Sequence, residues 1–424
     1  MSRINYLQMT TNFIYITEAF PPSGMQSGIR ALEISKRLVE NNIYPIIITK
    51  KIDSNNIYNL SLIKEIPQML KIYRTHSFKI KNKYIRYLLD KSLRLDYYLE
   101  WIPFAFFRAK RILRKNKDIK FIYTYGPPFY SHIIGYLLKL KFKVPLIVEY
   151  GDPWSFNPYH EQTQSILFKK LNLFIEKKIL KSTDLIVSLS SAFRFFLIHH
   201  FPFTEKKPII SISTGLHIHN ELNSYKKKEN CINITFTGAL YGKRTIYPLL
   251  KMISELKKEN FFENLDFKLK IFGYYNFEHL NNLVGNLNIE DMVYLGDFIT
   301  RSKALKEILH SNLALHIGEN LNYPFIAFKV WDYISCRKKI IYLGREDSYT
   351  AKFIKKHNLG ITIPINNFEV GKLTLRDILI KLQKNEYDLS FDISLLKKFS
   401  WDKRVKKFIE RIIKPIKLLE TKRN

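Results

Sequence analysis

Gly238, Lys243 and Arg244 stand in an order that can hold a phosphate. They lie in INITFTGALYGKRTIYPLLKMISEL, residues 232–256, where an apolar β-rich run gives way to glycine, a short basic loop and a helical pattern. Leu249, Ile253 and Leu256 share one face of that helix. Glycine lets the backbone approach a ligand, N–H groups at a helix start point outward, and cations complete an anion site. An ordinary βα turn with two solvated cations has the same residues, so both readings stand on this stretch alone. Lys329 and Asp332 lie three apart on one helical face, either as site residues or as a plain ion pair. Asp152, in Gly151–Asp152–Pro153, is the best candidate to recognise or deprotonate a hydroxyl. A turn cap before Pro153 is its other reading. Glu18 and Glu149 are carboxylates in reserve, and His132 is read as packing or capping. His199–His200 and His217–His219 lack further ligands of metal type, so no metal is assigned.

These residues need strands that end on glycine or proline. NFIYITEAF, residues 12–20, runs into PPSGMQSGIRALEISKRL, where Gly24 and Gly28 permit a tight loop before a helix. Further strands are predicted at 44–49, 71–78, 120–125, 144–150, 184–189 and 207–214, with helices between. The rhythm repeats with strands at 232–237, 267–272, 292–295, 313–317, 339–343 and 360–365. Alternation of this kind predicts an α/β fold of two doubly wound, Rossmann-like domains. The expected divisions are an N-terminal domain over 1–215, a linker over 216–230, a second domain over 231–395 and a basic amphipathic helix over 396–424. The apolar stripe of that helix is expected to dock on the protein body, and Pro415 to kink or end it.

Chain length agrees, since 424 residues exceed one domain at about 100–200 residues each. Only Cys231 and Cys336 are present, which excludes a disulfide framework. Lys and Arg outnumber Asp and Glu by 69 to 38, a formal charge of +31, which favours polyanionic or phosphorylated partners. The wealth of Ile, Asn, Lys, Tyr and Phe fits an AT-rich genome, so charge alone does not choose among them. Residues 79–115 read as basic amphipathic helices with Tyr84, Tyr87, Trp101, Phe104 and Phe107, suited either to an anionic membrane surface or to core packing. No signal peptide and no apolar run of about 18 residues is read, so the expected location is cytoplasmic, peripheral at the inner membrane face.

Several segments, in order, resemble family 4 glycosyltransferases. FPPSGMQSGIR is similar to their F-P-P-x-x-G-G-x-x-x-R loop. YGPPFYSH and LIVEYGDPWSFNP resemble their S-x-P-P-x-S-x-H and D-F-R-D-P-W segments, which puts Trp154 on the acceptor side. FTGALYGKRTIYPLL resembles the start of their donor domain, AFKVWDYISCRKKIIYLG their K-x-F-E-Y-L-A-x-G-K-P-I, and SWDKR their terminal helix. The resemblance implies a GT-B fold, two domains facing a cleft, and a retaining, metal-independent transfer of a hexosyl-type sugar. The donor would be a nucleotide diphosphate sugar, with no cofactor, and the acceptor a glycan or a lipid-linked molecule of cell-surface polysaccharide synthesis. Lys243 and Arg244 would take the charge of the leaving diphosphate, faced by Gly24, Gly28 and Arg30. Asp332 falls where the family has its ribose-binding carboxylate, usually Glu; Pro324 replaces an earlier Glu, for which Glu319 would stand in, and Ala239 replaces the family's Arg after the glycine. A nucleotide-sugar epimerase, a non-catalytic GT-B scaffold and a polyanion-binding protein are the alternatives.

Overall fold

A computed structural model describes residues 12–51, 59–78, 100–157, 165–217, 231–240, 244–318 and 323–416. The chain divides into two compact units, Met1–Thr214 with Trp401–Asn424, and Gly215–Ser400.

In the first unit the strands are β1 (Asn12–Ile16), β2 (Tyr44–Lys50), β3 (Lys71–Thr75), β4 (Ile119–Gly126), β5 (Leu146–Tyr150), β6 (Leu185–Ser188) and β7 (Ile209–Ser211). They form one parallel sheet in the order β3-β2-β1-β4-β5-β6-β7. Strands covered on both faces read as unbroken apolar runs, which is why IIIT in β2 and LIVEY in β5 are buried throughout. The helices are α1 (Gln26–Glu40), α2 (Ile102–Lys115), α3 (Tyr130–Phe142), α4 (Ile166–Ser182) and α5 (Ala192–His200). β1 stops at Ile16 rather than Phe20; Thr17 and Glu18 still bond to β2, and the Thr17 hydroxyl donates to the Ala19 carbonyl as the chain turns away. The order reverses at β1 and β4, so the loops after them part and leave the crevice where ligands of such sheets bind.

The second unit repeats the plan. β8 (Cys231–Ala239), β9 (Asp266–Tyr274), β10 (Val293–Gly296), β11 (Leu313–Ile317), β12 (Ile340–Gly344) and β13 (Gly360–Pro364) run parallel in the order β10-β9-β8-β11-β12-β13. Its helices are α6 (Tyr247–Lys258), α7 (Phe277–Asn286), α8 (Arg301–His310), α9 (Phe328–Ser335), α10 (Tyr349–Lys356), α11 (Phe368–Gln383) and α12 (Ser394–Lys398). Here the reversal falls between β8 and β11. Leu216, expected in the linker, packs in this unit's core and donates its N–H to the Phe399 carbonyl at 2.9 Å. Residues 218–230 of that linker lie outside the described residues.

The last helix, α13 (Trp401–Phe408), returns to the first unit. Trp401, Val405, Phe408, Ile412 and Ile413 join the core built on Phe13, Tyr15, Ile34 and Leu38. Each such burial is worth about 1.5–3 kcal/mol. One π turn, Ile409–Ile413, precedes Pro415, and the helix continues to residue 416 rather than ending at the proline. Longer i→i+5 spacing absorbs the missing N–H.

Candidate functional site

In the second unit the site grows from two glycines. Gly238 near the end of β8 pairs with Gly273 on β9, and both hold positive φ, +146° and +141°. A Cβ on Gly273 would run into the backbone of Gly238, and a Cβ on Gly238 would overlap the Lys329 ammonium. Glycine at 238 is therefore the condition for Lys329 to lie across the strand end. Lys329 leaves the first turn of α9 and passes over the Phe236 ring, 4.8 Å from its centroid. A cation there opposes the positive end of the helix dipole, and the turn has neither an acidic residue nor a side-chain cap. Burial, then the Arg244 guanidinium, depress the Lys329 pKa to about 7 against a weaker pull from Asp332. An anion bound at this point would supply the missing countercharge.

His316 on β11 is buried in the same cluster, its ring 5.6 Å from that of Tyr342. Burial, then Lys329 and Arg244, lower its pKa to about 3, so the imidazole is neutral at physiological pH. Its Nδ1 has no hydrogen-bond partner among the described residues. The sequence signal was a histidine inside the apolar run LALHIG, at the strand where the order reverses. Asp332 pairs with Arg301 of α8 at 2.5 Å, so the ion-pair partner of this carboxylate comes from another helix. The Tyr333 hydroxyl ties α9 to β11 by donating to the Leu315 carbonyl at 2.8 Å. Gly238, Arg244, Lys329 and Asp332 are thus brought together, with His316 and Arg301 added. Lys243 and Glu319 lie outside the described residues.

In the first unit, Glu18 follows β1, 3.7 Å from the Lys50 ammonium, and Gly24 precedes α1, whose start has no side-chain cap and no acidic residue. Gly28 is a packing glycine, since a Cβ there would sit 3.1 Å from the Ser23 carbonyl. Arg30 and Glu149 depart from the expectation. They form a buried ion pair with Arg30 Nε 2.9 Å from Glu149 Oε1, and Arg30 also reaches the Ile212 carbonyl at 3.1 Å. Both are sealed from solvent, at 1% and 0% exposure, and the pair clamps α1 to β5. Trp154, expected on the acceptor side, is buried and stacked on Phe129 at 4.9 Å and 6°. Trp101 is fully buried and donates its Nε1–H to the Thr75 hydroxyl at 2.7 Å, which rules it out as a membrane anchor. His132 packs in the same aromatic group, hydrogen-bonded to Thr124 at 2.7 Å.

Asp152 stays half-buried in the loop after β5, close enough to Tyr125 to help raise that phenol's pKa. The loop is held by Glu176 of α4, whose Oε2 accepts from the Ser155 N–H at 2.9 Å. Burial raises the Glu176 pKa from 4.5 to about 7, against the hydrogen bonds from Ser155 and Tyr150. A raised carboxyl pKa favours the protonated acid in the folded state. Its contribution is full below pH 4.5 and is lost as pH rises through 7, a change of about 3 kcal/mol. Glu176→Gln should flatten that part of the stability profile, read as urea midpoints between pH 4.5 and 8. An unchanged slope would show that Glu176 titrates normally.

Among the described residues no three His, Cys, Asp or Glu side chains group as a metal site, and no helix is long and apolar enough to cross a membrane.

No family model matches the chain. An uncharacterised glycosyltransferase of Methanocaldococcus jannaschii is 24% identical over 318 residues, 70% of this chain and 76% of the relative. Among solved structures, sucrose-phosphate synthase from Thermosynechococcus elongatus is similar with TM-score 0.66 and 13% identity, over 96% of this chain and 100% of that one. A glycosyltransferase from Rickettsia africae superimposes with TM-score 0.60 and 17% identity, over 96% and 98%. A point mutant of S. aureus TarM, in complex with Fondaparinux, alpha-GlcNAc-glycerol and UDP, does so at 0.60 and 11%, over 95% and 99%. The fold is that of the GT-B glycosyltransferases. In this GT-B chain the cation cluster of the second unit occupies the carboxyl ends of β8 and β11, where the order of the sheet reverses.

Proposed function

We propose that the chain is a retaining glycosyltransferase that moves a hexosyl group from a nucleotide diphosphate sugar to a glycan or lipid-linked acceptor, without a metal ion, in cell-surface polysaccharide synthesis. The observation that carries the reading is Lys329 lying across Gly238, beside Arg244 and a neutral His316. As the sugar–oxygen bond breaks, negative charge collects on the departing diphosphate. Fixed cations in a poorly solvated pocket stabilise that charge more than they stabilise the bound donor, which lowers the barrier. Lys329 and Arg244 take this role, His316 offers a neutral hydrogen-bonding group, and Asp332 accepts from the ribose. Asp152 in the first unit recognises the acceptor hydroxyl.

A thermal-shift titration with UDP-, GDP-, ADP- and CDP-sugars, with and without EDTA, tests the donor half. One nucleotide series should stabilise the protein, equally in EDTA, and Gly238→Ala should abolish the shift by displacing Lys329. Proton NMR of the sugar released on slow donor hydrolysis then reads the stereochemistry. Retention supports the reading; inversion, conversion to another nucleotide sugar, or no shift with any donor overturns it.

A further inference from the structure

We propose that the first unit holds a pocket for an anionic amphiphile, a phosphate at the end of a hydrocarbon chain, between the end of β3 and the start of α2. As an acceptor site it rests on the function proposed above; as a binding site it stands alone. The cavity has a volume of about 590 Å³, and its lining includes Arg74, Arg108 and Arg111 together with Phe78, Phe104 and Phe107. No Asp or Glu lines it among the described residues. An apolar wall beside guanidinium groups matches a ligand with one charged end and one greasy end.

The pocket is fixed by its surroundings. Phe78 and Glu100 are held together, the Phe78 N–H donating to the Glu100 carbonyl at 2.8 Å. Trp101 is anchored to Thr75, and Arg108 lies over the Tyr73 ring at 5.3 Å. Arg74 spends one terminal nitrogen on the Pro21 carbonyl, while its buried Nη1 has no partner among the described residues. A buried guanidinium N–H without an acceptor is a position where phosphate oxygens gain the most. Phe78 and Phe107 are each 61% exposed, large apolar surfaces that solvent does not favour. The Phe78 and Phe104 rings meet at 59° and 4.8 Å, so they offer each other edges and leave no pair of parallel faces to sandwich a base.

Isothermal titration of the full chain with decyl phosphate below its micelle concentration is the test, with decyl maltoside, inorganic phosphate and UMP as comparators. Decyl phosphate should bind at least tenfold more tightly than each comparator. Arg108→Gln with Arg111→Gln should weaken it at least tenfold, and both side chains are exposed, so the variant keeps its fold, checked by circular dichroism. No binding, equal binding of a comparator, or unchanged affinity in the double variant overturns the proposal. Nucleotide-sugar titrations on the same samples separate the two ideas. Donor binding without alkyl phosphate binding sinks this site alone, and the reverse sinks the transferase reading while leaving the pocket.

Discussion

Replacing Lys329 with methionine is expected to raise the unfolding midpoint of the ligand-free protein and, in the same variant, to weaken nucleoside diphosphate binding roughly 10- to 100-fold. The two effects have one cause. Burial and Arg244 hold the lysine at about pKa 7 in the folded protein against 10.5 ordinarily. Between those values the unfolded chain binds more protons, so the penalty for charging Lys329 is full below pH 7 and fades as pH rises toward 10.5. With allowance for residual solvent the penalty is about 2–4 kcal/mol, and methionine keeps the packing while removing it. Urea midpoints of wild type and variant should therefore differ most at pH 6 and converge by pH 10. Binding runs the other way: a diphosphate takes the protonated lysine, so affinity falls as pH rises above 7, and titration in buffers of different ionisation enthalpy should register proton uptake. Affinity flat from pH 6 to 9, or equal in the variant, would remove Lys329 from the anion site.

Glu149→Gln should cost about 3–5 kcal/mol of stability, because it leaves the Arg30 guanidinium charged and buried without its partner. Arg30→Met alone should cost a similar amount by stranding the carboxylate. The double variant Arg30→Met with Glu149→Leu should recover most of the loss, since two apolar side chains of similar volume need no countercharge. Trp401, whose ring lies 5.8 Å from the Arg30 guanidinium, is a wall of the same compartment. Equilibrium unfolding of the wild type, Arg30→Met, Glu149→Leu and the double variant closes the cycle. A Glu149→Gln variant of normal stability but impaired acceptor use would contradict the clamp and return this residue to the acceptor side.

Strand positions were most legible where the strand is an unbroken apolar run bounded by turn residues. IIIT, LIVEY and DLIVSL leave no periodicity that a helix could use. Gly238 was visible as a glycine closing a strand before a basic loop, but nothing local showed that it makes room for Lys329. What the pattern hid were partners brought together from a distance. Arg30 and Glu149 are 119 positions apart, and nothing local marks either as paired. Arg301 and Asp332 meet from different helices, so the three-residue spacing of Lys329 and Asp332 gave no sign of the arginine that pairs with the carboxylate. Trp101 and Trp154 carry amphipathic rings that suit a membrane or ligand surface equally well, and only the fold shows them packed inside. His316 was hidden by its company, for a polar residue in a buried strand shows its role only when its neighbours are known.

The returning helix also sets an order of assembly. Phe408 tilts against Phe13 and Tyr123, and Arg37 reaches Asp402 across 365 positions, so the first sheet is completed only by residues translated after the whole second unit. Until then one flank of β1 and β4 is open, a long-lived apolar surface for chaperones to shield. A stop codon near residue 400 would spare every residue of the second unit and still leave the first unfinished.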